Sequence, residues 1–123
     1  LSPLNTIDLG DLDKTISTNI TATALLINFI SPIMSKEGRA LFFDDPCNGK
    51  KFFGAYGSSK IAQMSLVQSW ANECKNFGPN VTVFKPAPMK TALRARFFPG
   101  ENKEKLLSPK SEAKRVLATL FDP

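Results

Sequence analysis

Ala55-Tyr56-Gly57-Ser58-Ser59-Lys60 opens a long run in which Ile61, Met64, Leu66, Val67 and Trp70 fall at helical spacing. The spacing predicts a helix from Ala55 to Phe77. Gly78-Pro79 closes it, a residue tolerant of left-handed geometry followed by a helix breaker. Tyr56 and Lys60 stand four residues apart, so they share one helix face about one turn apart. A free phenol titrates near 10, too high for easy proton exchange at neutral pH. A neighbouring ammonium favours the phenolate and makes the tyrosine a usable general acid or base. Chance also supplies Tyr-x-x-x-Lys as a surface pair, so its meaning depends on what surrounds it.

Upstream, residues 1–10 read as irregular. From Asp11 to Ser35, Leu12, Ile16, Ile20, Ile27, Ile30 and Met34 mark one face of an amphipathic helix. Asp11 and Asp13 suit its positive end, and Pro32 bends or ends it. Ala40–Phe43 is a short continuous apolar run, read as a buried strand of a parallel sheet. Asp44–Lys51 is a loop broken by Pro46 and Gly49. Downstream, Asn80–Phe84 reads as a second strand, and Pro86-Ala87-Pro88 interrupts the chain. Thr91–Phe98 reads as a short helix, followed by a charged loop. Ser108-Pro109 caps a final helix carrying Ala113, Val116, Leu117 and Leu120. Trp70 and the phenylalanines read as core.

Helix, strand, helix, strand, helix is the order of α/β units with a parallel sheet. Two strands flanked by long amphipathic helices leave apolar faces uncovered. The 123 residues therefore read as a single partial domain, a slab of a larger sheet.

Composition narrows the chemistry. Hydrophobic residues make up 42% and charged residues 22%, as in ordinary globular proteins. There is no histidine, which removes Ser-His-Asp and Cys-His catalysis and any histidine-built metal site. Cys47 and Cys74 match no zinc spacing and read as free thiols. The net charge of +5 is spread over the chain, with mild concentration from Lys85 to Lys105. A solvated face is the reading, with no nucleic-acid partner. No apolar run is long enough to span a membrane, and no secretory leader is seen, so a cytoplasmic location is expected.

Together these residues resemble the C-terminal half of a short-chain dehydrogenase/reductase. In that family an asparagine lies in the helix before the fifth strand, here Asn19 in Ser-Thr-Asn-Ile-Thr-Ala-Thr. The fifth strand follows as Gly38-Arg39-Ala40-Leu41-Phe42-Phe43, and Tyr-x-x-x-Lys opens the next helix. The sixth strand and a proline turn with a downstream threonine complete the order, here Val81 to Thr91. Arg94-Ala95-Arg96-Phe97-Phe98-Pro99 further resembles one bacterial branch of such oxidoreductases.

The resemblance implies a Rossmann-type doubly wound parallel sheet and NAD or NADP as cofactor, if an N-terminal half is present. Tyr56 would exchange a proton with a carbonyl or alcohol oxygen while a nicotinamide exchanges hydride with its carbon. Lys60 would lower the tyrosine pKa and hold the nicotinamide ribose. Asn19 would bind a water in a proton relay. Pro86, Ala87, Met89 and Thr91 would line the cofactor. The two long helices would pack against their copies in a homo-oligomer.

Three departures bear on this. The glycine-rich dinucleotide fingerprint is absent, so the chain alone is expected to hold the cofactor poorly and be inactive. The catalytic serine is missing, and its place falls at Asp44 or Asp45, with Asp45 preferred. A serine hydroxyl donates to a substrate oxygen, whereas an ionised carboxylate cannot. The turn reads Pro86-Ala87 in place of Pro-Gly, and the usual last strand is absent. Asp45 also suits a plain turn before Pro46, and Thr91 suits a helix cap. The second reading of the whole is a degenerate, non-catalytic scaffold for interaction or dimerisation. A basic anion-binding protein is a weaker third.

Overall fold

The computed structural model describes residues 1–47 and 49–121. The chain forms two compact units, Leu1–Val83 and Phe84–Pro123. Each is described by itself.

In the first unit the N-terminal residues are more ordered than expected. Leu4–Thr6 form a 3-10 turn, and α1 (Leu9–Ile16) starts where Asp8 caps it, its side chain accepting from Asp11 N at 2.9 Å. The single helix expected from Asp11 to Ser35 runs without a break from Leu9 to Ile30, widened in its middle. After α1 the chain opens into a π turn at Ser17–Thr21 that contains Asn19, and α2 runs from Ala22 to Ile30. This stretch is rich in Ser and Thr, whose hydroxyls compete for backbone carbonyls. Thr15 Oγ1 donates to Asp11 O, and Thr23 Oγ1 to Asn19 O. Pro32 has no N–H to continue the ladder, and α2 stops just before it.

Strand β1 (Arg39–Phe43) is followed by α3 (Gly54–Cys74), which returns the chain to β2 (Asn80–Phe84). The two strands pair in a parallel sheet, as a helical crossover requires. Helix α3 ends three residues earlier than expected. Gly78 sits at φ 69°, and a Cβ there would lie 2.1 Å from Lys36 O, so only glycine fits.

The core of this unit is small: Ala40, Val67 and Trp70, with Thr23, Ser59 and Cys47 buried beside them. Phe42 meets Trp70 edge to face at 6.2 Å. The expectation for the phenylalanines is corrected here. Phe29, Phe43, Phe52 and Phe77 are exposed, because a slab this thin has too little interior to cover its aromatic faces.

In the second unit Phe84 is buried and Arg115 lies 5.4 Å over its ring. Helix α4 (Ala92–Phe97) is shorter than the expected Thr91–Phe98, and a 3-10 turn at Lys103–Lys105 lies within the charged loop. Met89 bridges to Leu107. Helix α5 (Pro109–Phe121) opens as expected, with Ser108 Oγ accepting from Ser111 N. Glu112 on its first turn is 2% exposed. It accepts from Ala87 N at 2.9 Å and from Arg115 Nη1 at 2.6 Å. The Ala87 N–H, and after it Arg115, hold its carboxyl below the usual range against burial, which pushes the other way.

Candidate active site

Helix α3 carries Tyr56 and Lys60 on its first two turns, beside the C-terminal end of β1. Gly57 and Ser59 between them are buried against the unit. Gly54 lies close under the Leu4 side chain, which a Cβ there would have to displace.

Both side chains are half-buried and turn to different partners. The Tyr56 hydroxyl donates to Asp45 Oδ2 at 3.1 Å. Lys60 Nζ donates to Phe43 O at 2.8 Å and to Gln63 Oε1 at 2.5 Å. The expectation that Lys60 draws the phenol pKa down is corrected. Burial first, then the Asp45 charge and hydrogen bond, with Cys47 and Asp44, push Tyr56 above the usual phenol range. Burial lowers the Lys60 pKa, with Asp44, Asp45 and Cys47 pulling the other way.

Asp45 is therefore more than a turn residue: it bridges two donors. Cys47 Sγ donates to its Oδ1 at 3.0 Å. Cys47 is buried, and burial with the Asp45 contact pushes its thiol up to about 11, so it stays a protonated donor at neutral pH. Reading Cys47 only as a free thiol missed this contact. The two-residue step from Asp45 is a signal that could have suggested it.

Asn19 lies in the π turn, and its Nδ2 donates to Ser59 Oγ at 2.9 Å. Its carbonyl accepts from Thr23 Oγ1, which in turn accepts from Gln63 Nε2 at 2.9 Å. A side-chain chain thus links Asn19 O through Thr23 and Gln63 to Lys60. Thr23 and Gln63 escaped the sequence reading, because only folding brings residues forty positions apart together.

The remaining expected site residues lie in the second unit. Thr91 caps α4, its Oγ1 accepting from Arg94 N at 3.2 Å while its own O–H stays available to donate. The Ala87 N–H is engaged by Glu112, and the Lys90 N–H by Leu107 O. Pro86 and Pro88 have no N–H to offer.

Among the described residues no cluster of three or more Cys, Asp or Glu is placed to hold a metal, and no helix is long and apolar enough to cross a membrane. A dinucleotide fits best at its nicotinamide-ribose end. Lys60 has three N–H donors, of which two are engaged, leaving one for a ribose hydroxyl. The turn from Pro86 to Lys90 offers few backbone donors for phosphates.

Residues 1–102 match the short chain dehydrogenase family, and the chain belongs to it. A curated relative, an uncharacterised oxidoreductase called YciK from Escherichia coli K12, is 32% identical over 95 residues. That match covers 74% of this chain and 37% of the relative. A crystal structure of a short-chain dehydrogenase from Salmonella enterica serovar Typhi aligns with a TM-score of 0.89 at 27% identity. It covers 99% of this chain and 52% of that one. A short-chain dehydrogenase from Shigella flexneri, solved in complex with NADP, aligns with a TM-score of 0.84 at 25% identity. That alignment covers 96% of this chain and 51% of that one. The fold is thus that of a Rossmann-type short-chain oxidoreductase, and the chain spans about half the length of these solved relatives.

Proposed function

We propose that this chain acts as the C-terminal part of an NAD(P)-dependent short-chain oxidoreductase on a small-molecule substrate. A carbonyl/alcohol pair is the class that family membership implies. The observation that carries the reading is the Lys60 Nζ bond to Phe43 O, which seats the Tyr56/Lys60 turn of α3 over the C-terminal end of β1. Open α/β sheets bind their ligands at the carboxyl ends of strands. The relative solved with NADP supports the choice of cofactor.

A reduced dinucleotide held there would supply the hydride for the substrate carbon. Tyr56 donates a proton to the substrate heteroatom. Lys60, clamped by Gln63, holds the ribose. Asn19 keeps its π turn against Ser59 and, through Thr23, orients Gln63. Asp45 sets the charge beside the phenol. Pro86, Ala87, Met89 and Thr91 are the further cofactor residues that family membership implies. The whole chain is one partial domain in this reading. A groove of about 600 Å³ beside β1, lined by Leu26, Ile30, Met34, Leu41 and Phe43, accepts further sheet. By itself the chain is inactive, having no glycine-rich phosphate loop.

The second reading, a non-catalytic scaffold, is favoured by one observation: Asp45 already takes the Tyr56 O–H. The test uses the full-length protein, its extent set by intact mass, with dinucleotide oxidation followed over a carbonyl panel. Tyr56→Phe is expected to lower the rate by roughly a hundred- to ten-thousand-fold, and Lys60→Ala to be similarly severe. Activity that survives Tyr56→Phe rejects the mechanism. A parent that binds the dinucleotide yet turns over nothing supports the scaffold.

A further inference from the structure

Burial and the carboxylates of Asp45 and Asp44 oppose ionisation of the Tyr56 phenol, and its hydroxyl sits 3.1 Å from Asp45 Oδ2. Both Asp45 oxygens already accept, Oδ1 from Cys47 Sγ and Oδ2 from the Tyr56 hydroxyl. Lys60 Nζ donates to Phe43 O and Gln63 Oε1 and not to the phenol. A reacting atom within reach of the phenol therefore meets carboxylate charge and no neutral hydroxyl at the Asp45 position.

The sign of that charge discriminates between substrates. When a carbonyl is reduced, negative charge gathers on its oxygen as hydride arrives. Asp45 opposes that charge and donates nothing to it. A protonated C=N bond behaves in the opposite way. Its N–H is a donor that a carboxylate accepts, its positive charge is attracted, and its transition state keeps part of that charge. The carboxylate also favours the protonated, reactive form of the imine over the neutral one.

We propose that the completed site works on C=N/C–N pairs, reducing imines to amines, in preference to carbonyls. The proposal rests on the hydride-transfer reading above and replaces only its substrate class. The step balances as follows. Nitrogen is protonated first, from water or from Tyr56, whose phenolate regains its proton from water. Hydride then adds to the iminium carbon, and the C=N π pair moves onto nitrogen to give the neutral amine. The two electrons come from a reduced nicotinamide dinucleotide, which leaves oxidised. Cys47 acts as a positioning residue, its buried thiol holding Asp45 toward Tyr56.

The test compares pyrroline with cyclopentanone as substrates of the full-length protein, and pyrrolidine with cyclopentanol as ligands by calorimetry with the oxidised dinucleotide present. The parent is expected to favour pyrroline in kcat/KM. Asp45→Ser is expected to shift that ratio toward the ketone by roughly ten- to a hundredfold, the scale of a lost or gained interaction at a developing charge. Because imines and ketones differ in intrinsic reactivity, the shift carries the weight. In binding, the parent is expected to prefer pyrrolidine, and Asp45→Asn to lose the preference. A parent that prefers cyclopentanone, or a ratio and a binding preference that ignore both Asp45 variants, overturns the proposal and leaves hydride transfer standing. Failure of the parent and of Asp45→Ser to oxidise the dinucleotide with either compound overturns both readings.

Discussion

Tyr56 is the only tyrosine in the chain, so its ionisation can be followed by itself. Burial and the Asp45 contact both favour the neutral phenol. The stability this adds is present below the ordinary phenol range and is lost as pH climbs through the raised value. An alkaline ultraviolet titration of this chain is expected to show a midpoint above the usual phenol value of about 10. Asp45→Asn removes a negative charge that opposes the phenolate, so the midpoint is expected to fall. A midpoint that stays put in that variant rejects the electrostatic account. The identities of Tyr56, Lys60 and Asp45 as candidates were legible in the sequence. Their partners were not. Helical spacing puts Tyr56 and Lys60 on one face but does not say where four rotatable bonds carry the ammonium, and here that is to Phe43 O and Gln63.

At the scale of elements, β2 has the bounds its apolar run predicts, while the first helix does not. A strand between Gly-Pro and a proline turn is punctuated by residues whose backbone limits are local. The π turn at Ser17–Thr21 depends on side chains outside its own helix, since Asn19 bonds Ser59. The link from α3 to β2 depends on one glycine. Gly78→Ala forces a side chain into left-handed backbone, at about 1–2 kcal/mol, and drives its Cβ into Lys36 O. The variant is expected to lose at least about 2 kcal/mol in denaturant unfolding. A loss under about 0.5 kcal/mol, the size of an ordinary surface change, rejects the close approach.

For the whole molecule, uncovered apolar surface is the dominant fact. Phe29 is 78% exposed and Ile33 81%, with Leu25, Ile61 and Phe77 also open. Patches of this kind mark surfaces that meet other protein. We propose that the α1–α2 stretch and α3 pack in a homo-oligomer, a dimer or tetramer in keeping with closed symmetry. Light scattering at micromolar concentrations is expected to show the oligomer, and Phe29→Glu to shift it toward monomer. A monomeric parent over that range counts against the assignment.

The sequence by itself determined the alternation of helix and strand, the family, and the candidate residues, because these follow from spacing and residue type along the chain. The tertiary structure decided what those residues touch. It placed the Tyr56 hydroxyl on Asp45 in preference to Lys60, joined Cys47 to the same carboxylate, and bonded Asn19 to Ser59. It also left most phenylalanines outside the core. These outcomes turn on side-chain direction, local charge and the thickness of the folded layer, and each is set only when distant segments pack.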